Sequence, residues 1–230
     1  MSDPPTLSGP KLPPTSGRAA THLVVLLHGL GADGNDLIGL APHWARDLSG
    51  CEFVSPDAPE PCDNAPMGRQ WFSLQNREPD AILAGVQRAA PALDGFLDRE
   101  LDRLGLGDDR LALVGFSQGT MMALHVGLRR HRAPAALIGY SGALIGAHLL
   151  RDEIRASPPI LLVHGDRDEV VPNAALFEAL AFLGAAGMTV EWHIASGVGH
   201  SIDPTGLELG GRFLASAFGS DSAAVGLKEA

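Results

Sequence analysis

The sequence predicts an α/β fold in which a mostly parallel central sheet is flanked by helices, with no separate lid domain. Three observations carry this. Apolar runs of strand length recur at residues 21–27, 53–55, 111–114, 135–140, 159–164 and 189–195. Segments of helical period separate most of them, and strands alternating with helices give a parallel sheet with right-handed crossovers. Finally, residues 111–114 run through Gly115-Phe116-Ser117-Gln118-Gly119 straight into an apolar helix over 121–128, with almost no loop between. A continuous apolar run of that kind suits a central strand covered on both faces.

Taken in order, the Pro-rich leader 1–20 reads as irregular chain or one short edge strand, and 21–218 as a single domain. The tail 219–230 is small and polar and is expected to fray. After the 21–27 strand come a Gly-rich stretch, His28-Gly29-Leu30-Gly31-Ala32-Asp33-Gly34, and a helix over 35–47. The short 53–55 strand leads into the longest irregular stretch, residues 56–74, which holds Met67, Trp71 and Phe72. A loop that long in a compact domain is more often part of a site, so these three side chains are expected as acyl-pocket wall, with packing in the core as the plainer alternative. Pro79 fits the first turn of a long amphipathic helix with Ile82, Leu83, Val86, Leu93, Phe96, Leu97, Leu101 and Leu104 on its apolar side, closed by Gly105, with Pro91 kinking or splitting it. Helices are expected over 173–184 and 204–218. Only residues 143–157 separate the fourth strand from the fifth, room for one crossover helix, with Leu144 and Ile145 expected beside the loop that ends at Leu74 as further apolar wall of the site.

Composition narrows the function. A chain of 230 residues, 45% hydrophobic, is long enough for one sizeable core. A formal net charge of −10 argues against nucleic-acid and anionic-membrane surfaces, which need a basic patch. No apolar signal segment or membrane-length span is present, so a cytoplasmic protein without stable membrane association is expected. Cys51 and Cys62 have neither metal-site nor redox-motif spacing, so no metal is expected. A homodimer is compatible with this composition.

The chemistry centres on Ser117. A strand-to-helix turn this tight lifts a serine to the carboxyl edge of the sheet in a strained conformation, and Gly115 and Gly119 let neighbouring elements approach. The Gln118 amide opens the helix where an oxyanion would form, and the Leu30 amide lies opposite as the second donor. His28 then braces the loop. The same glycines, Gly29, Gly31 and Gly34, also match G-x-G-x-x-G, but the acidic residue expected for a ribose is misplaced: Glu52 opens its strand and Asp57 follows a proline.

A serine nucleophile needs a base and an acid that orients it. Of nine histidines only His193 and His200 follow the acidic turn Gly165-Asp166-Arg167-Asp168-Glu169. His193 sits inside a strand, whereas His200 follows Gly197 and Gly199 in a loop at the correct edge and is the expected base. Asp168, deeper in its loop than Asp166, is favoured as the acid by position. Ser, acid, His is the chain order of α/β-hydrolases. His28-Gly29-Leu30-Gly31, Trp71-Phe72, Gly115-Phe116-Ser117-Gln118-Gly119, His164-Gly165-Asp166-Arg167-Asp168 with Val171-Pro172, and Gly199-His200 together resemble the carboxylesterase and acyl-protein thioesterase family of that fold, over about residues 24–218. The resemblance implies Asp168 as the triad acid and Leu30 and Gln118 as the oxyanion donors. The chain departs from the pattern at Thr120, where many members have glycine, and at Glu169, where proline is usual. The expected activity is cofactor-free hydrolysis of a small acyl ester or thioester of short to medium chain through an acyl-enzyme. Acyl-protein thioesterase or lysophospholipase activity is the alternative. A non-catalytic binding protein on the same fold, or a nucleotide-dependent oxidoreductase, would be told apart by fluorophosphonate labelling and by cofactor titration.

Overall fold

The computed structural model describes residues 5–63 and 65–219. The strands are β1 (Lys11–Leu12), β2 (His22–Leu27), β3 (Cys51–Val54), β4 (Glu60–Cys62), β5 (Ala65–Gln70), β6 (Leu111–Phe116), β7 (Ala136–Tyr140), β8 (Ile160–Gly165) and β9 (Val190–Ala195). The α-helices are α1 (Gly34–Leu37), α2 (Ala41–Ala45), α3 (Pro79–Leu104), α4 (Gln118–Gly127), α5 (Leu150–Glu153), α6 (Ala174–Ala185) and α7 (Pro204–Ala217). Seven strands form one sheet in the order β1-β3-β2-β6-β7-β8-β9, parallel except where β1 runs antiparallel to β3. The leader therefore supplies the edge strand. Residues 1–4 and 220–230, and with them the expectation for the tail, lie outside the described residues.

Alternation along the strands divides the core. Leu23, Val25, Leu27, Leu111, Leu113, Leu137 and Leu162 face α3, α4 and α6, while Val24, Leu26, Phe53, Val114, Ile138 and Val163 pack with Trp44, Phe213 and Leu214 on the opposite face. Four expectations need correction. The helix over 35–47 is broken by a 3-10 turn at Ile38–Leu40, because Pro42 has no N–H to give the Ile38 carbonyl. Residues 56–74 are not one loop: β4 and β5 pair antiparallel, Glu60 with Gln70 and Pro61 with Arg69. Of the two outcomes expected at Pro91, a kink or a split, the split does not occur: α3 continues through it. Gln87 and Pro91 are both exposed, so water can take the carbonyl that Pro91 leaves free. The crossover over 143–157 holds only a 3-10 turn, Ala147–Leu149, and the single turn α5.

Candidate active site

β6 carries the chain to the carboxyl edge and Ser117 turns it into α4 at φ 54°, ψ −117°, a conformation that L-residues rarely adopt. The turn closes because of its glycines. A Cβ on Gly119 would lie 1.8 Å from the Leu27 carbonyl oxygen, and one on Gly115 would lie 2.3 Å from the Gly119 carbonyl carbon. The Ser117 amide donates to the Tyr140 carbonyl at 2.9 Å, which ties the elbow to β7. Thr120 is used structurally: its hydroxyl lies 2.8 Å from the Gly115 carbonyl oxygen and 2.9 Å from that of Tyr140. As the first residue of α4, Gln118 has an amide without an intrahelical acceptor.

Opposite the elbow, the turn holding Leu30 is fixed from two sides. The Gly31 amide donates to the Arg69 carbonyl at 2.9 Å and the Arg69 amide to the Ala32 carbonyl at 2.8 Å, so the β4–β5 hairpin grips the turn. Beneath it His28 is fully buried, its Nε2 accepting from the Ala58 amide at 3.0 Å and its Nδ1–H donating to the Gly29 carbonyl at 2.8 Å. Burial pushes its pKa down, outweighing that hydrogen bond and the carboxylates of Asp57, Asp33 and Asp36. Both ring nitrogens are occupied, which leaves His28 the brace and not a base. Asp57 caps α1 by accepting from the Gly34 amide at 2.8 Å, so it is spent on the protein's own backbone.

At the ends of β8 and β9 the loops that carry Asp168 and His200 are joined. A Cβ on Gly165 would strike the Val198 carbonyl oxygen at 2.3 Å, and the Arg167 amide donates to that carbonyl at 2.9 Å. Asp168 Oδ1 accepts from the Val170 and Val171 amides, both at 2.9 Å, and Oδ2 accepts from His200 Nδ1 at 2.8 Å. Burial alone would raise the carboxyl's pKa. The bonds from His200, Val171 and Val170 outweigh it and hold Asp168 below the usual carboxylate range. With Nδ1 donating to Asp168, Nε2 of His200 is free to accept a proton. The ring lies against Phe116 with centroids 4.8 Å apart. Asp166 instead accepts from Ser196 Oγ at 3.1 Å and the Gly197 amide at 2.7 Å, holding the loop that carries His200. His193 is half-buried within β9.

Ser117, His200, Leu30 and Gln118 share the wall of one cleft of about 350 Å³. Leu74, Ile82, Met121, Val170 and Val171 supply its apolar side, with the exposed Asp36 and Arg77 beside them. The expected wall residues are elsewhere. Trp71 and Phe72 are each 1% exposed and belong to the core. They support the site from behind: Trp71 Nε1 donates to the His28 carbonyl at 3.0 Å, the Trp71 amide donates to Gln118 Oε1 at 3.1 Å, and Gln118 Nε2 donates to the Phe72 carbonyl at 2.8 Å. Met67 is 93% exposed, because Gly68 and Gln70 are the residues of β5 turned inward, and it faces a neighbouring shallow depression. Leu144 and Ile145 are partly buried against the core and do not line the cleft. Sequence reasoning missed the Gln118 clamp, the grip of Arg69 and the role of His164, whose Nε2 donates to the Val171 carbonyl at 2.8 Å beneath Asp168. Among the described residues no group of three or more His, Cys, Asp or Glu side chains is placed to hold a metal ion.

A family model described as Phospholipase/Carboxylesterase matches residues 15–217. The chain belongs to the phospholipase/carboxylesterase family. Among its relatives, the esterase YpfH of Escherichia coli is 31% identical over 81% of this chain and 78% of its own length. Acyl-protein thioesterase 1 of Schizosaccharomyces pombe is 31% identical over 67% of this chain and 72% of its own. Among solved structures, the esterase PE8 superposes with a TM-score of 0.89 at 44% identity, covering 92% of this chain and 99% of that one. Acyl-protein thioesterase 2 of Zea mays shares the fold at a TM-score of 0.69 and 24% identity, covering 90% of this chain and 97% of that one. As a member of this family the chain is a hydrolase of the α/β-hydrolase fold.

Proposed function

We propose that this member of the family is a serine hydrolase that cleaves carboxylic esters or thioesters of short to medium acyl groups, with Ser117, His200 and Asp168 as its triad. The observation that carries the reading is the hydrogen bond between the buried Asp168 and His200 Nδ1, on the wall of the same apolar-sided cleft as Ser117. Asp168 fixes the tautomer in which His200 Nε2 accepts. That nitrogen takes the Ser117 proton as Oγ attacks the acyl carbonyl, and the Leu30 and Gln118 amides receive the developing oxyanion. His200 then protonates the departing alkoxide or thiolate, and water, deprotonated by the same nitrogen, releases the acid from the acyl-enzyme. The family names of the relatives favour a thioester as the second reading, since the same attack serves both leaving groups. The two buried free cysteines suit a reducing, cytoplasmic location.

A fluorophosphonate probe tests the chemistry. It should label the chain at Ser117 and abolish hydrolysis of an acyl ester series, and label that survives Ser117→Ala would remove the assignment. Oxygen ester and thioester substrates of one acyl chain, assayed side by side, decide between the two leaving groups.

A further inference from the structure

The two edges of the central sheet are built differently. β1 is two residues long and bracketed by Pro10, Pro13 and Pro14, which blocks any further strand. β9, at the other edge, has six residues, Val190-Glu191-Trp192-His193-Ile194-Ala195, with no proline, glycine, lysine or arginine. Its outward backbone groups can be identified. The Asp166 amide of the β8 side donates to the Ala195 carbonyl at 3.1 Å, so Ala195, His193 and Glu191 turn their backbone towards β8. Val190, Trp192 and Ile194 therefore point their N–H and C=O groups away from the sheet. Beside this edge Trp192 is 52% exposed and meets Phe177 of α6 edge-on, centroids 6.2 Å apart. The one charged residue of α6 is Glu178, and its exposed side carries Ala174, Phe177, Ala181, Phe182 and Ala185. A helix whose exposed side is apolar but for one carboxylate is ordinarily covered.

We propose that β9 pairs antiparallel with β9 of a second copy of this chain, about a twofold axis through Trp192, joining two sheets into one and bringing the two α6 faces together. Self-complementarity identifies the occupant. With Trp192 opposite Trp192 of the second copy, Val190 faces Ile194 and Glu191 faces His193, each pair occurring twice. Every outward N–H and C=O of Val190, Trp192 and Ile194 then finds a partner. Glu191 and His193 fall at the non-hydrogen-bonded positions, where side chains across an antiparallel pair come closest. Neighbouring registers lose this match: one sets Glu191 against its own copy, the other runs Val190 past the end of the opposing strand. An unrelated strand added to the edge would require none of this reversal symmetry.

Cross-linking tests the register. In a hydrogen-bonded antiparallel pair the two Cα atoms lie about 5.5 Å apart, within disulfide reach. Oxidised Trp192→Cys should run as a covalent dimer while Glu191→Cys does not, and the buried Cys51 and Cys62 do not compete. Light scattering of the unaltered chain should give twice its 24.0 kDa. His193→Glu, which opposes like charges twice, should weaken dimerisation tenfold or more, and adding Glu191→His to that variant should restore it. A chain that stays monomeric at tens of micromolar, or polymerises without stopping at the dimer, overturns the proposal. Equal cross-linking of both cysteine variants, or a dimer indifferent to His193→Glu, does the same.

Discussion

Ser117 is held at φ 54° by close contacts that no side chain at Gly115 or Gly119 would permit, and a non-glycine residue there costs on the order of 1–3 kcal/mol. That strain yields two measurable outcomes. Ser117→Ala is expected to lose turnover by about a millionfold while remaining folded. Ser117→Gly should be as inactive yet melt higher, by about 1 kcal/mol of added stability, and a lower melting temperature would show that the elbow is not strained. The two aspartates separate in the same way. Asp168→Asn keeps its size but not the acceptor that fixes His200, so kcat should fall by about ten-thousandfold with stability little changed. Asp166→Asn disturbs only its bonds to Ser196 and Gly197, so it should cost stability first and activity less. Circular dichroism melts beside rate measurements distinguish them, and the reverse pattern would exchange their roles. These positions were legible because each lies where a strand ends, in the chain order of the fold. The cleft wall was legible only at Leu74, which closes the 56–74 stretch expected there: Ile82, Met121 and Val170 come from three other parts of the chain, and no local pattern marks them as its neighbours.

At the scale of elements, the β4–β5 hairpin was hidden because Pro61 weakens β4 as a strand signal and an irregular register interrupts the pairing. Its consequence was missed with it. Trp71 and Phe72 look like pocket residues in a loop, but they follow a strand whose carbonyl and amide hold the Leu30 turn, and Gln118 clamps their backbone from α4. Gln118→Ala should therefore act through the element, leaving the Trp71 amide and the Phe72 carbonyl unpaired and costing about 2–4 kcal/mol. Gln118→Glu keeps one acceptor and should recover part of that loss, which a urea unfolding series would resolve. Near the other end of α4, burial, and then the charge of Arg129, lower the His125 pKa to about 4 against a weaker pull from Glu153. A histidine with a lower pKa folded than unfolded binds its proton more tightly when unfolded. Stability should therefore fall as pH drops from about 6.5 towards 4, by at most about 3 kcal/mol from this group. His125→Met removes the titration, and unfolding midpoints at pH 7 and pH 4.5 should then lie closer together than in the unaltered chain.

For the whole molecule, access to Ser117 is decided by what the crossovers leave out. Hydrolases of this fold that act on aggregated lipid commonly carry a cap inserted after the strand that is β7 here, and the crossover between β7 and β8 offers only a 3-10 turn and the single turn α5. No helix among the described residues is long and apolar enough to cross a membrane. The cleft has one apolar side built by Leu74, Ile82, Met121, Val170 and Val171, with the exposed Asp36 and Arg77 beside it. Each methylene laid on the apolar side contributes about 0.8 kcal/mol, close to fourfold in kcat/KM. The gain should stop once the chain outgrows a cleft of about 350 Å³, because further methylenes meet solvent and polar side chains. Activity on a homologous ester series should therefore climb and level off within the short to medium range. With only a 3-10 turn and the single turn α5 in the β7–β8 crossover, rate plotted against substrate concentration should pass through the micellar threshold without a jump. A steep rise at that threshold, with little turnover of monomeric substrate below it, would mean that a segment of this chain closes over Ser117 in water.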